Sequence, residues 1–446
     1  MSPLLNVEEV RRDFPILSRE VHGRRLVYFD NAASTLKPVQ VIEAIVEFYK
    51  NHYANVHRGF HTLSQEASQM YEEAHEVLAK FINAHSWDEV VFVNNSTEGL
   101  NLVAYAWGLH NIREGDEIVV TVMDHHSSML PWRRIAELRR ARVRYIGVTR
   151  EGYLNYSQLD EVITEKTRVV SFPVASNVLG TINDVKRIVK RAREVGALVV
   201  ADGAQSVPHI PTDVRELGVD FLAFSGHKML GPTGSGVLWG RRDVLQELKP
   251  FKVGGDTIRD VTLEDVTWLE PPWRFEAGTP NIEAAIGLAR AAEYLMKVGM
   301  ENVRLHEIEL VGYTLKRLSE ELGEEVRYYG PRNPEDKTGV VAFNVRDLHF
   351  HVVAQALDYL GIAVRSGMHC AHPLHYSLGI SHENPPPAEV PQSVEERLKK
   401  FGSVRASFYI YNTKEEVDYF IGALMFILMV REQLKTKPVS AVCTGT

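Results

Sequence analysis

Lys228 closes the tetrapeptide Ser225-Gly226-His227-Lys228, directly after the apolar run Phe221 to Phe224. A lysine ammonium is strongly hydrated. At the end of a buried strand it is either paired with an anion or neutralised to serve as an amine nucleophile, as in a Schiff base. Taken alone, a lysine among glycines reads as a solvated loop residue, so its neighbours must decide. Asp202 and Gln205, in Asp202-Gly203-Ala204-Gln205, follow the apolar run 197–201 and add a carboxylate and an amide. Ser96 and Thr97, in Asn94-Asn95-Ser96-Thr97-Glu98, have the character of a helix start, where bare N–H groups and hydroxyls attract an anion. His125 and His126 follow another apolar run. With no cysteine or carboxylate pattern for a third ligand, zinc is not expected there. Cys370 lies in Gly367-Met368-His369-Cys370, ahead of a polar, proline-rich stretch. A lone cysteine is commonly a small buried hydrophobe, but these flanks suggest access, and the thiolate is the nucleophilic form.

The elements that position these residues alternate. Apolar runs at 26–30, 90–93, 117–122, 168–172, 197–201 and 220–224 are separated by helical patterns, such as the face Val185, Ile188, Val189 and Ala192. This describes an α/β fold, a mainly parallel sheet sandwiched by helices, whose ligands sit beyond the carboxyl ends of the strands. Thr97, His125, Asn177, Asp202, Gln205, Ser225 and Lys228 all fall just past predicted strands, the first sign that Lys228 is functional. Beyond residue 280 the pattern changes to helices near 283–297 and 304–322 and strands near 338–345 and 361–366, a smaller α+β C-terminal domain. The predicted division is 1–25, a segment packing with the small domain; 26–295, the large domain; and 296–446, the small domain carrying the Cys370 loop. Residues 375–392, with prolines at 385–387, are expected to form an extended loop. Ser393 reads as the capping-box start of a short helix and Thr413 as the cap of the last helix. The run Phe420 to Val430 is too short to span a membrane and reads as a buried helix, and the tail from Lys435 as loose.

Composition bounds the partners. The 446 residues are 45% hydrophobic and 24% charged, with 50 basic against 58 acidic side chains. The resulting charge of −8 offers no reason to expect nucleic acid or an anionic membrane. Two cysteines, Cys370 and Cys443, cannot form a disulfide framework and point to a reducing, cytoplasmic setting. The N-terminus lacks the apolar stretch of a secretory signal. No role is assigned to Cys443.

A lysine amine, a carboxylate, an amide donor, an imidazole and a hydroxyl-lined helix start together meet the needs of pyridoxal 5'-phosphate. The motifs around them resemble the class V aminotransferase group of fold-type I enzymes. With Asn55-Val56-His57-Arg58-Gly59, Ser176-Asn177-Val178-Leu179-Gly180-Thr181, Phe275-Glu276-Ala277-Gly278-Thr279-Pro280, His369-Cys370-Ala371 and Arg405-Ala406-Ser407, the chain resembles the SufS-type, or group II, cysteine desulfurases. The resemblance implies that Lys228 holds the cofactor and shuttles a proton, Asp202 pairs with the pyridinium and Gln205 bonds the phenolic oxygen. His125 would stack on the ring and act as acid or base. Ser96, Thr97, Ser225 and His227 would hold the phosphate, with Thr279 reaching the phosphate of a neighbouring subunit in a homodimer. Asn177 would support the cofactor side, and Arg405, Asn177, Arg365, His57 and Arg58 would bind substrate. Cys370 would take sulfur from L-cysteine as a persulfide, release alanine and pass the sulfur to an acceptor protein for iron-sulfur cluster or other sulfur-containing products.

Three departures qualify this. Ser96 replaces a threonine, Met368 stands where a histidine is common, and the 35 positions from Cys370 to Arg405 exceed the usual spacing. The surplus around 376–400 lies between two substrate-side residues, where it could shield the persulfide, dock an acceptor or narrow the substrate range. A selenocysteine lyase, a class V aminotransferase or lyase with a structural Cys370, and a scaffold that has lost catalysis are the alternatives.

Overall fold

Seven strands build the first sheet of the computed structural model, which describes residues 5–436. They are β1 (Val90–Val93), β2 (Glu117–Thr121), β3 (Arg142–Ile146), β4 (Thr167–Pro173), β5 (Leu198–Asp202), β6 (Phe221–Ser225) and β7 (Gly236–Gly240), in the order β1-β7-β6-β5-β4-β2-β3. Only β7 runs against its neighbours; the other pairings are parallel. Because side chains alternate across a strand, Leu222 and Phe224 enter one apolar cluster and Phe221 and Ala223 the opposite one. The strands are therefore apolar throughout, and each fully buried Leu or Phe contributes about 1.5–3 kcal/mol. The expected α/β sandwich is observed, with two strands, β3 and β7, beyond those predicted.

Polar residues fix which way β6 points. Asp220 at its start accepts from Val199 N at 2.7 Å and pairs with Arg193 and Arg241. The other end, Ser225, then opens into the Lys228 turn. A Cβ on Gly226 would lie 2.2 Å from Ser235 Oγ, so the turn requires glycine there.

A second, antiparallel sheet contains β8 (Val326–Tyr329), β9 (Val340–Val345), β10 (Arg365–Gly367) and β11 (Ser403–Ser407), in the order β8-β9-β11-β10. Its core joins Phe343 to Leu310 of the helix Met300–Arg317, to Val353 of the helix Phe350–Tyr359, and to Phe420 and Leu424 of the helix Lys414–Met429. The predicted strand at 26–30 belongs to this core. Val27–Tyr28 pairs parallel with Ile362–Ala363, and Phe29 packs edge-on against Phe408 and Phe420 at 4.9 and 5.8 Å. Val10, Phe14 and Leu17 join the larger apolar cluster, which also holds Tyr411, and the segment touches the small domain through Phe14–Tyr411 at 4.6 Å and Arg11–Glu416.

Three local expectations are corrected. Residues His372–Leu378 form a helix, with Pro373 in its first turn and Gly379 in the left-handed conformation that ends it, so the extended stretch begins only after 379. The last long helix is half-buried: Ile421, Leu424 and Ile427 face the core, whereas Phe426 and Met429 are exposed. Its start carries the full capping box between Thr413 and Glu416, while Ser393 makes only the first half of one, accepting from Glu396 N. Among the described residues no helix is long and apolar enough to cross a membrane. Cys443 and the end of the tail lie outside the described residues.

Phe29→Ala removes a fully buried ring and is expected to cost about 3–5 kcal/mol. The measurement is the shift of the denaturant midpoint at unchanged slope. A change under about 1 kcal/mol would contradict this account of the core.

Candidate active site

Beyond the carboxyl ends of the parallel strands lies a cavity of about 290 Å³. The first sheet supplies Ser96, Thr97, His125, Asn177, Asp202, Gln205, Ser225, His227 and Lys228, and the second unit closes it with Arg365, His369, Cys370 and Arg405. Every predicted strand-end residue thus faces one space. Within one chain, His57, Arg58 and Thr279 do not reach it. His57 and Arg58 line a separate hollow, where Arg58 meets Asp256 at 3.2 Å, and Thr279 is exposed beside a cleft near Tyr71 and Asn281.

Burial sets the protonation of the cavity. It lowers the Lys228 amine to about 8, with Arg405 pushing the same way and Asp202 pulling back up. Asp202 is 5% exposed; burial raises its carboxyl, opposed by the Ala204 N–H it accepts at 2.9 Å and by Lys228. His125 is lowered to about 3, chiefly by burial and then by Lys228, so it is a neutral imidazole at neutral pH. Its Nδ1 accepts from Ser127 N at 3.1 Å, which places the ring hydrogen on Nε2. His227 is likewise lowered to about 4 by burial and Lys228.

Donors gather at the start of the helix Ser96–Val103. Asn95 caps it by accepting from Glu98 N, Ser225 Oγ bonds Ser96 N and Oγ at 2.8 and 3.0 Å, and Thr97 Oγ1 meets Ser127 Oγ at 2.6 Å. Gln205 spends one amide hydrogen on Ala32 O at 2.7 Å, and its Oε1 is buried without a partner. This set of an amine, a carboxylate, an amide and a hydroxyl-lined helix start fits an aldehyde-bearing, phosphorylated pyridine.

On the opposite wall Arg405 is 2% exposed. It donates to Asn177 O at 2.8 Å and lies 3.7 Å from Asp30, while its Nε–H is buried without an acceptor. Burial lowers it only to about 10, with Asp30 pulling it up, so it stays cationic. Arg365 grips both oxygens of Asp30, the closest contact being 2.7 Å. A guanidinium with an unspent N–H at a cavity wall suits a carboxylate. Cys370 is exposed, and both it and His369 take left-handed backbone angles, φ 54° and 49°, which non-glycine residues rarely adopt. Asn177 Nδ2 donates to His369 O at 2.6 Å and His126 N to Cys370 O at 2.8 Å, holding that turn.

Sequence reading missed Asp30, Ser127, His369 and Lys37. Asp30 ends an apolar run just as Asp202 does, a signal that was available. Lys37, lowered to about 7 by burial, donates to His227 O at 2.9 Å, a partnership no local pattern announces.

The Lys228 amine is expected to titrate near 8 in cofactor-free protein, its reactive neutral form growing as pH rises through that value. Because Asp202 raises this value, Asp202→Asn should move the midpoint lower. The check is the pH dependence of reductive methylation at Lys228, read by peptide mass spectrometry; an unchanged or higher midpoint contradicts the assignment.

Comparison with known proteins follows the same lines. The model of the aminotransferase class-V family matches residues 27–420. A probable cysteine desulfurase of Streptomyces coelicolor is 47% identical over 426 residues, covering 94% of this chain and 97% of that protein. A cysteine desulfurase of Haloferax volcanii is 46% identical over 433 residues, covering 94% and 96%. The apo structure of a cysteine desulfurase from Thermococcus onnurineus superposes with a TM-score of 0.86 at 42% identity, covering 96% of this chain and 99% of that one. With its strand-end lysine and carboxylate in one cavity and the family pattern running almost its full length, the chain belongs to the class V aminotransferase family.

Proposed function

We propose that the chain is a pyridoxal 5'-phosphate-dependent cysteine desulfurase of the SufS type. The observation that carries this reading is the meeting of Cys370 with Lys228 and Arg405 in one cavity. Lys228 and Asp202 would hold the cofactor's aldehyde carbon and ring nitrogen, Gln205 its phenolic oxygen, His125 its ring face, and Ser96, Thr97, Ser225 and His227 its phosphate. When bound, the cofactor supplies an electron sink for the substrate's Cα. Arg405, braced by Asn177 and Asp30 and assisted by Arg365, binds the carboxylate of L-cysteine. Lys228, with an amine partly neutral near pH 8, moves the Cα proton. Cys370 as thiolate forms an S–S bond to the substrate sulfur while the Cβ–S bond breaks; its electron pair stays on carbon, which is protonated to give alanine.

The reading extends to partners. A homodimer would bring Thr279, and with it His57 and Arg58, to the neighbouring cavity, and a sulfur-acceptor protein would reduce the persulfide on the exposed Cys370. A cytoplasmic setting suits a thiolate nucleophile. The division into an N-terminal segment 1–25, a large domain 26–295 and a small domain 296–446 stays a proposal, with Val27 of the strand Val27–Tyr28 packed into the core of the small sheet.

Incubation with L-cysteine under reductant should give alanine and sulfide in equal amounts, and without reductant Cys370 should carry one added sulfur by peptide mass spectrometry. Alanine formation left unchanged by Cys370→Ala would remove the thiol from the mechanism. Arg405→Lys, which loses the planar fork, should lower kcat/KM by about 10- to 100-fold; retention of full activity would place the carboxylate elsewhere.

A further inference from the structure

Behind Cys370 runs a chain of hydrogen bonds that the desulfurase reading does not use. His375 Nδ1 lies 3.0 Å from Ala371 O, His375 Nε2 is 3.4 Å from Ser403 Oγ, and Ser403 Oγ is 3.1 Å from His369 Nε2. A backbone carbonyl only accepts, so His375 must carry its hydrogen on Nδ1, which leaves Nε2 as an acceptor. The hydroxyl of Ser403 has one hydrogen and donates it there. Its lone pair then accepts from Nε2–H of His369, and His369 Nδ1 is bare. The reverse arrangement would leave His375 Nε2 unpaired in the interior. Burial keeps both imidazoles neutral, with the Arg405 and Arg365 charges acting on His369 in the same sense and a hydrogen bond to the Ser403 backbone opposing them.

Ser403 is fully buried, and it sits two residues from Arg405 on β11, so both project from the same face of that strand. Asn177 joins the two from the other side, giving its Nδ2–H to His369 O and accepting Arg405 on its own carbonyl. The loop that carries Cys370 and the guanidinium are thereby held in one frame. Such a frame is what two successive left-handed, non-glycine residues need to persist, because only over-determined surroundings hold them there.

We infer that Ser403, acting through His369 and His375, is a positioning residue that sets the Cys370 loop relative to the carboxylate clamp. The inference rests on Cys370 being the nucleophile, and it assigns Ser403 no contact with substrate. Misplacing a nucleophile by about 1 Å can cost on the order of 100-fold in rate. Ser403→Ala is therefore expected to lower kcat for alanine formation by about 10- to 100-fold, with KM changed by less than roughly threefold. Ser403→Thr, which keeps the hydroxyl, should restore most of it.

Two measurements on the unreacted protein judge the inference whether or not the desulfurase reading holds. By hydrogen exchange, the amides of Ala371 and His126, bonded to Met368 O and Cys370 O, should exchange about tenfold faster in Ser403→Ala, while peptides of β9 keep their wild-type rate. Nitrogen-15 spectra of the wild-type imidazoles should show the hydrogen on Nε2 of His369 and on Nδ1 of His375. Unaltered exchange around Cys370, unaltered kcat, or the opposite tautomers would each overturn the inference; the tautomers decide it even where a variant does not fold. A wild-type protein that makes no alanine from L-cysteine would sink the functional reading alone.

Discussion

The guanidinium of Arg405 is almost wholly removed from water, and a charge in that position has to be matched from within. Its partners come from separated parts of the chain: Asp30 from just after the strand Val27–Tyr28, Asn177 O from the loop after β4, and β11 as its own support. Meeting this requirement draws the small sheet, the first strand and the large sheet together at one point. Val27–Tyr28 is paired to Ile362–Ala363, which delivers Asp30, and Ser407 N bonds Phe29 O at 2.7 Å just before it. Buried ion pairs are weak sources of net stability, since desolvation offsets their attraction. The gain is geometric: Asp30 also fixes Arg365, so two guanidiniums are held at one wall with an N–H still unspent.

Burial also sorts the remaining ionisable groups by charge. Desolvation is the leading cause at Lys228, His125, His227 and Arg405 alike, yet the outcomes differ because the starting values differ. Imidazoles lowered to about 3 and 4 are neutral at pH 7, an amine lowered to about 8 is within reach of neutrality, and a guanidinium at about 10 remains charged. One physical effect thus leaves a cation for a carboxylate and a neutral imidazole that can move a proton. It also leaves a lysine poised between its two forms, with Asp202 limiting how far it shifts.

Much of this was legible in the chain because each strand of a parallel sheet ends on the ligand side, so that polar residues after apolar runs mark the site. Asp202, Gln205, Ser225 and Lys228 follow that rule. What the pattern could not show is pairing across long separations: Arg405 with Asp30, Ser403 with His369, or Lys37 with His227. β3 escaped because it is an edge strand with arginines alternating along it, and β7 because its terminal glycines leave only Val237, Leu238 and Trp239 as an apolar run. The helix after Cys370 was hidden by Pro373, since a proline breaks a helix internally but starts one well. His57, Arg58 and Thr279 entered through resemblance, and one chain alone gives them other neighbours.

The long spacing between Cys370 and Arg405 raised the question of whether their relation is altered, and the structure constrains the answer. Ser381 forms a bridge to Phe401, its hydroxyl bonds Lys400 O at 2.6 Å, and Gly402 N bonds Ile380 O at 3.0 Å. Residues 382–400 therefore leave and return at the same place. An excursion closed at its neck adds little entropic cost as it lengthens and transmits no displacement to the chain on either side. The helix His372–Leu378 and β11 meet as they would across a short turn, which is why His375 can reach Ser403. The surplus is thus an excursion closed at the Ser381–Phe401 neck, and the frame that joins Cys370 to Arg405 is built without it.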